Sequence, residues 1–137
     1  MWQWLKNLFG GGGGETLEQP SPKVRIKPEQ VHMVGDKLEV TGLPNCYIAA
    51  IAPTNSMEPG IDDGMFVVLD PSIPFSDLIE GDIIFYESPS FKAIHRIVEI
   101  GNDIDWYAIC KGDNNSARDP GKVRSWEIKG VYRGQIT

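Results

Sequence analysis

Histidine and cysteine are the scarcest reactive residues of this chain, two of each among 137. Cys46 and Cys110 stand far apart, with no CxxC pair and no neighbouring histidine, which argues against a metal site. They read as two free thiols buried in strands, with a disulfide as the alternative. Clusters of Lys and Arg are also missing, and the net charge is −6. A nucleic-acid partner is therefore not expected. No apolar run approaches the roughly 18 residues that a membrane-spanning helix needs. The first nine residues lack a charged region followed by a long apolar stretch, so no secretory signal is expected. Nothing in the chain asks for a cofactor.

What is present suits one compact domain with short appendages. The chain opens on "MWQWLKNLF", followed by five glycines at 10–14. At about 100° per residue, Trp2, Trp4, Leu5, Leu8 and Phe9 share one arc, and Gln3, Lys6 and Asn7 share the opposite one. A helix this short is not stable alone in water. It would form when its aromatic face is buried at a membrane surface or in a partner's groove; the plainer alternative is a frayed terminus that patches the domain's own surface. The pentaglycine and "ETLEQPSPK" form a flexible tether. The expected organisation is a docking or anchor peptide at 1–9, a linker at 10–23 and one domain at 24–137.

From Val24 onward the pattern is that of strands. "KVRIK" and "KLEVTG" alternate, and "CYIAAIA" reads as a buried run. "MFVVLD", "DIIFYE", "FKAIHRIVEI", "WYAICK" and "EIKGVYRGQI" follow, each bounded by turn-forming residues. The only helical hint is a short turn near "FSDLIEG". About eight short strands predict an all-β, barrel-like domain.

The stretch "APTNSMEPGIDDG" at 52–64 places a serine between two prolines, directly after an apolar run. Ser56 is either a turn residue or a nucleophile held on an elbow, and a nucleophile needs a base and a group that orients the base. His32, in the polar "EQVHMVGD", reads as an exposed loop residue. His95 sits mid-strand in "FKAIHRIVEI", where a histidine is more often structural than catalytic. The turn-rich "CKGDNNSARDPGKV" holds Asp113 and Asp119, six residues apart. Loop aspartates commonly cap or form turns, so each of these residues has a plain structural reading. Ser56, His95 and one of the two aspartates also make a possible triad.

Taken in order, "NSMEP" (55–59), "GDIIFY" (81–86), "HRIV" (95–98) and "KGDNN…D" (111–119) resemble the motifs of membrane-bound type I signal peptidases. The resemblance covers residues 51–131. It implies a barrel-type β domain, shared with the LexA-like self-cleaving regulators. Bacterial and mitochondrial members, and those regulators, carry a lysine base where His95 stands. A histidine there resembles the archaeal and endoplasmic-reticulum type. By that resemblance Ser56 is the nucleophile, His95 the general base and Asp119 the orienting acid. Asp113 becomes a second, structural carboxylate, and the "GDNN" turn fixes the loop that carries the acid. The Ser56 N–H and the Thr54 hydroxyl are implied as the oxyanion hole, although Thr54 also reads as a strand-end turn residue. Met57 and Pro59 are expected to shape the elbow and line the substrate cleft, and Arg96 to be a surface or salt-bridging residue. The implied substrate is a polypeptide cut after small side chains, laid along a strand edge.

This chain departs from the family at "GIDDGM", where Gly60 and Met65 replace Thr and Asp. The motifs are also closely spaced, leaving little room for the large extra domain of some members. In place of the family's spanning helix stands "MWQWLKNLF" on its tether. An interfacial helix without export would sit on the cytoplasmic side, where signal peptides are not cut, so peptidase chemistry is implied rather than signal-peptide processing. Two other readings stay open. One is a non-catalytic docking module, for example in a viral assembly. The other is a self-processing protein, with "AAIA" (49–52) as the cut site.

Overall fold

The computed structural model describes residues 19–137, so the nonapeptide and the pentaglycine lie outside the described residues. Nine strands follow in chain order: β1 Val31–Val34, β2 Lys37–Val40, β3 Tyr47–Ala50, β4 Phe66–Asp70, β5 Ile83–Glu87, β6 Lys92–Asn102, β7 Trp106–Lys111, β8 Val123–Arg124 and β9 Ile128–Ile136. The helical content is three single 3₁₀ turns, one of them Phe75–Asp77 within the expected "FSDLIEG" turn. The domain is all-β, and its strand pairs are antiparallel.

β1 and β2 form a separate hairpin, and the remaining strands make one sheet in the order β3-β4-β9-β5-β6-β7-β8. β3 and β8 are its two edges, so the sheet is open rather than a closed barrel. Register shifts at Val68/Leu69, Phe85/Tyr86 and Ile97/Glu99 interrupt three of its ladders. Such bulges increase local twist and bend the strands.

Strand alternation divides the core between the two faces of the sheet. On β5, Ile84 and Tyr86 point to one cluster with Ile97, Ala108, Cys110 and Val131. Ile83 and Phe85 point to the other, with Met57, Ile61, Val67 and Leu69. Because β5 is buried on both sides, "DIIFYE" reads as a nearly continuous apolar run.

Four sequence expectations need correction. "KVRIK" joins no ladder among the described residues, and the chain bends at Ile26. Side chains replace a neighbouring strand there: the Lys23 N–H donates to Asp82 Oδ1 at 2.9 Å, and Arg133 Nε donates to the Arg25 carbonyl at 3.0 Å. The Arg25 guanidinium in turn pairs with Asp77 and Asp82 at 2.8 and 2.9 Å. This strap closes over the loop that leads into β5.

"CYIAAIA" is not a buried run. Its strand is limited to β3, at the sheet edge, where Ile48 is 60% exposed. Alternation of small and apolar residues does not tell an edge from a centre. Cys46 accordingly lies half-buried outside any strand, whereas Cys110 is buried in β7, and both are free thiols. Burial and then the Asp70 charge push the Cys46 thiol up. His32, finally, is exposed but lies on β1 rather than in a loop, directly opposite Glu39 of β2.

Candidate active site

The segment after β3 turns sharply at Asn55, whose φ of +60° lies in the left-handed region. Asparagine tolerates that conformation better than most residues. The turn is anchored from below by Met57, 4% exposed and packed in the second core cluster. Ile61 N–H donates to the Met57 carbonyl at 3.1 Å and closes the loop. Ser56 is left half-buried at the tip. Pro59, expected to line the cleft, is exposed and outside it, because the turn carries it to the solvent side.

His95 lies on β6 opposite Ile84, so it shares a face with Ile84, Tyr86 and Ala93. It is 4% exposed. Its Nε2 is 2.9 Å from Ser56 Oγ and its Nδ1 is 2.6 Å from Asp119 Oδ2. With the carboxylate ionised, Nδ1–H is the donor to Asp119. Nε2 then carries the lone pair that faces the Ser56 hydroxyl. Asp119 sits in the loop after β7 and is held by its own N–H, which donates to the Cys110 carbonyl at 2.8 Å.

Asp113 is engaged elsewhere. The Arg96 guanidinium grips both of its oxygens, with Nε and Nη2 each at 2.8 Å. Alternation on β6 turns His95 to one face and Arg96 to the other. Arg96 Nη1 also donates to the carbonyls of Gly81 and Pro20, at 3.1 and 2.8 Å. Of the two readings of Arg96, surface or salt-bridging, the structure has the second: it is partly buried in a bidentate pair.

The "GDNN" turn clamps the serine elbow as well as the acid loop. Asn114 N–H donates to the Ser56 carbonyl at 2.9 Å, and Asn114 Nδ2 donates to the Asn55 carbonyl at 2.9 Å. Gly112 permits this close approach: a Cβ there would lie 2.7 Å from the Ser56 carbonyl oxygen and 2.6 Å from Asn115 Nδ2. Gly112→Ala must therefore displace the Ser56 carbonyl, and the elbow with it. A displacement near 1 Å costs about 10²-fold in rate where geometry is limiting, and crowding of this kind costs about 1–3 kcal/mol of stability. Peptidase kinetics and a thermal melt on the same preparation measure both.

Thr54 Oγ1 lies 3.2 Å from Ser56 Oγ. The Ser56 N–H has no hydrogen-bond partner among the described residues. An N–H and a hydroxyl, the donor types that suit a developing oxyanion, therefore both lie beside the Ser56 hydroxyl. The adjoining cleft has a volume of about 700 Å³. Ala49, Ala52, Met57, Phe85, Ala93 and Ile94 contribute to its mostly apolar walls. The negative charge of Asp62, a cleft residue, raises the Glu58 carboxyl above its ordinary value.

Three features escaped the sequence reading. Tyr86 O–H donates to Asp119 Oδ2 at 2.6 Å, from a residue that alternation marks only as core. Phe91 packs its ring 6.2 Å from the His95 ring, centroid to centroid. Asn55 supplies the left-handed turn, which an asparagine immediately before the serine could have signalled.

Among the described residues, no group of three or more His, Cys, Asp or Glu is assembled to hold a metal ion. Among the same residues, no helix is long and apolar enough to cross a membrane.

The chain is similar to a signal peptidase. It is 31% identical over 83 residues to Signal peptidase I W of Bacillus subtilis (strain 168). The match takes in 59% of this chain and 44% of that protein, so the chain spans less than half of its relative. No family model matches, and no solved structure matches. The kinship supported is with a peptidase, at a distance.

Proposed function

We propose that this chain is a serine endopeptidase that cuts extended polypeptides after small side chains. The observation that carries the proposal is the unbroken chain of hydrogen bonds from Ser56 through His95 to Asp119, at 2.9 and 2.6 Å. The similarity to a signal peptidase supports the same reading.

In the proposed reaction His95 Nε2 takes the Ser56 proton while Oγ attacks the peptide carbonyl carbon. The oxyanion is received by the Ser56 N–H and the Thr54 hydroxyl. Asp119 stabilises the imidazolium, which then protonates the leaving amine as the C–N bond breaks. Water, deprotonated by His95, releases the acyl group from Ser56.

The substrate is proposed to add a strand beside β3, whose second edge is unpaired among the described residues. Ala49 and Ala50 pair with Val67 and Phe66 in the β3–β4 ladder, which favours cutting another chain over self-cleavage there. Residues 1–9 would hold the enzyme at a membrane surface or on a protein partner.

The test is a peptide library bearing Ala-x-Ala, incubated with the full chain in lipid or detergent and read by mass spectrometry. The expected result is cleavage after the second alanine, lost in Ser56→Ala. A folded wild-type chain that cuts nothing would overturn the proposal and favour a docking module.

A further inference from the structure

The proposed reaction uses His95 and Asp119 but leaves Tyr86 without a part. We infer that Tyr86 is a positioning residue, whose hydroxyl holds the Asp119 carboxylate in place and, by sharing its charge, lowers the basicity of His95. The inference rests on the peptidase reading of the same site.

Tyr86 and His95 reach Asp119 from adjacent strands and donate to the same oxygen, Oδ2, each at 2.6 Å. A carboxylate oxygen has two lone pairs, and both are used here. Tyr86 is 2% exposed and Asp119 is 8% exposed, so water competes little for either bond. A buried tyrosine hydroxyl commonly needs some acceptor. What sets this one apart is that its acceptor atom is also the acceptor for the imidazole.

The surroundings leave Tyr86 as a fixed donor. Burial, then Asp119 itself, with smaller contributions from Cys110 and Glu127, push the phenol far above its ordinary value. Burial and then Asp119 also push the Cys110 thiol up, so it stays neutral beside the pair. The other groups facing His95 are Ser56 on the elbow and the Phe91 ring; Arg96 is turned away to Asp113. Lys92, a cleft residue, has its Nζ over the Phe85 ring at 5.5 Å. Phe91 also packs against Tyr86, with ring centroids 6.1 Å apart and a 31° tilt.

A hydrogen bond to the charged form makes a carboxylate less basic. Removing the Tyr86 hydroxyl therefore concentrates the Asp119 charge on His95 and favours the imidazolium. The His95 titration midpoint rises, and the acid limb of the rate profile moves to higher pH. The carboxylate also loses one of its two side-chain anchors, so the imidazole is held less well toward Ser56.

The experiment follows the imidazole C–H resonances of the full chain by NMR against pH. Wild type is compared with Tyr86→Phe and with ring-fluorinated tyrosine incorporated at position 86. His32, exposed on β1, serves as the internal reference. Tyr86→Phe is expected to raise the His95 midpoint by roughly 0.5–1 unit, and the fluorinated ring, a stronger donor, to lower it. On a cleaved peptide the same loss lowers kcat about threefold to tenfold at unchanged KM. An unmoved His95 midpoint in folded Tyr86→Phe would overturn the inference. Should that variant not fold, the fluorinated ring, which keeps the hydroxyl, decides alone: an unmoved or raised midpoint overturns it. The titration needs no turnover, so absence of cleavage strikes the peptidase reading without deciding the role of Tyr86.

Discussion

Ser56→Ala, His95→Ala and the double variant are expected to lower kcat by a similar factor, on the order of 10⁶. The equality is the informative part. In the proposed reaction Ser56 Oγ attacks only if His95 Nε2, 2.9 Å away, takes its proton, so either loss would remove the same event. Residues that act as one unit are far from additive, whereas independent contributors would multiply in the double variant. A residual rate above that of water should survive in all three, because the oxyanion donors do not depend on the removed groups. Kinetics on one cleaved peptide, with each variant checked for a native circular dichroism spectrum, measure this. A double variant slower than both single variants by a further large factor would break the shared-event account.

Asp119→Asn is expected to lower kcat about 10⁴-fold while the fold persists. The amide is isosteric with the carboxylate, so packing is spared, although an NH₂ turned toward Nδ1 stands where Oδ2 accepts from Tyr86 and gives up that bond. It is neutral, and when its NH₂ faces Nδ1 it imposes the tautomer in which Nε2 carries a proton and cannot accept one. The same change at Asp113 leaves the tautomer alone, because that carboxylate belongs to Arg96. Its effect should pass through the "GDNN" turn and the serine elbow, and should appear in stability as well as rate. The ratio of the two effects on kcat identifies the triad acid. Near-equal losses would mean that the orienting charge is shared.

Much of the β architecture was legible before any coordinates. "MFVVLD", "DIIFYE", "FKAIHRIVEI", "WYAICK" and "EIKGVYRGQI" correspond to β4, β5, β6, β7 and β9. Their period-two or doubly buried patterns are local, and turn residues bracket them. "KVRIK" carries an alternation of the same quality and joins no ladder. Its polar backbone is met by Asp82 and Arg133, 59 and 108 residues away, which no local window contains. "CYIAAIA" differs for a related reason: apolar composition does not say on which side a strand has a neighbour, and among the described residues β3 has one only on the side of β4.

The candidate site divides in the same way. Ser56 and His95 stood out as residues, and the spacing of the motifs suggested that they belonged together. The residues alone leave open which aspartate faces the imidazole, because Asp113 and Asp119 share one loop and one chemistry; only the resemblance implies Asp119. The fold separates them: Arg96, turned to the face opposite His95, captures Asp113, while the Asp119 N–H bond to the Cys110 carbonyl sets Asp119 under the imidazole. Tyr86 was invisible as a polar partner for the same reason that it was visible as core. In the sequence it is one more large residue on a buried strand. Its hydroxyl acquires an acceptor only through a loop 33 residues later.

By itself, then, the sequence determined the kinds of element, most of their positions, and the two residues that the proposed chemistry cannot do without. These follow from side-chain periodicity and from residue type, both of which are properties of short stretches. Only the tertiary structure decided the open edge at β3, the capture of Asp113 by Arg96, and the meeting of Tyr86 and His95 on one carboxylate oxygen. Each of these depends on strand register and on hydrogen bonds between distant segments. In a sheet, a shift of one residue would turn His95 and Tyr86 to the opposite face, so their meeting is a property of the ladder and not of either strand alone.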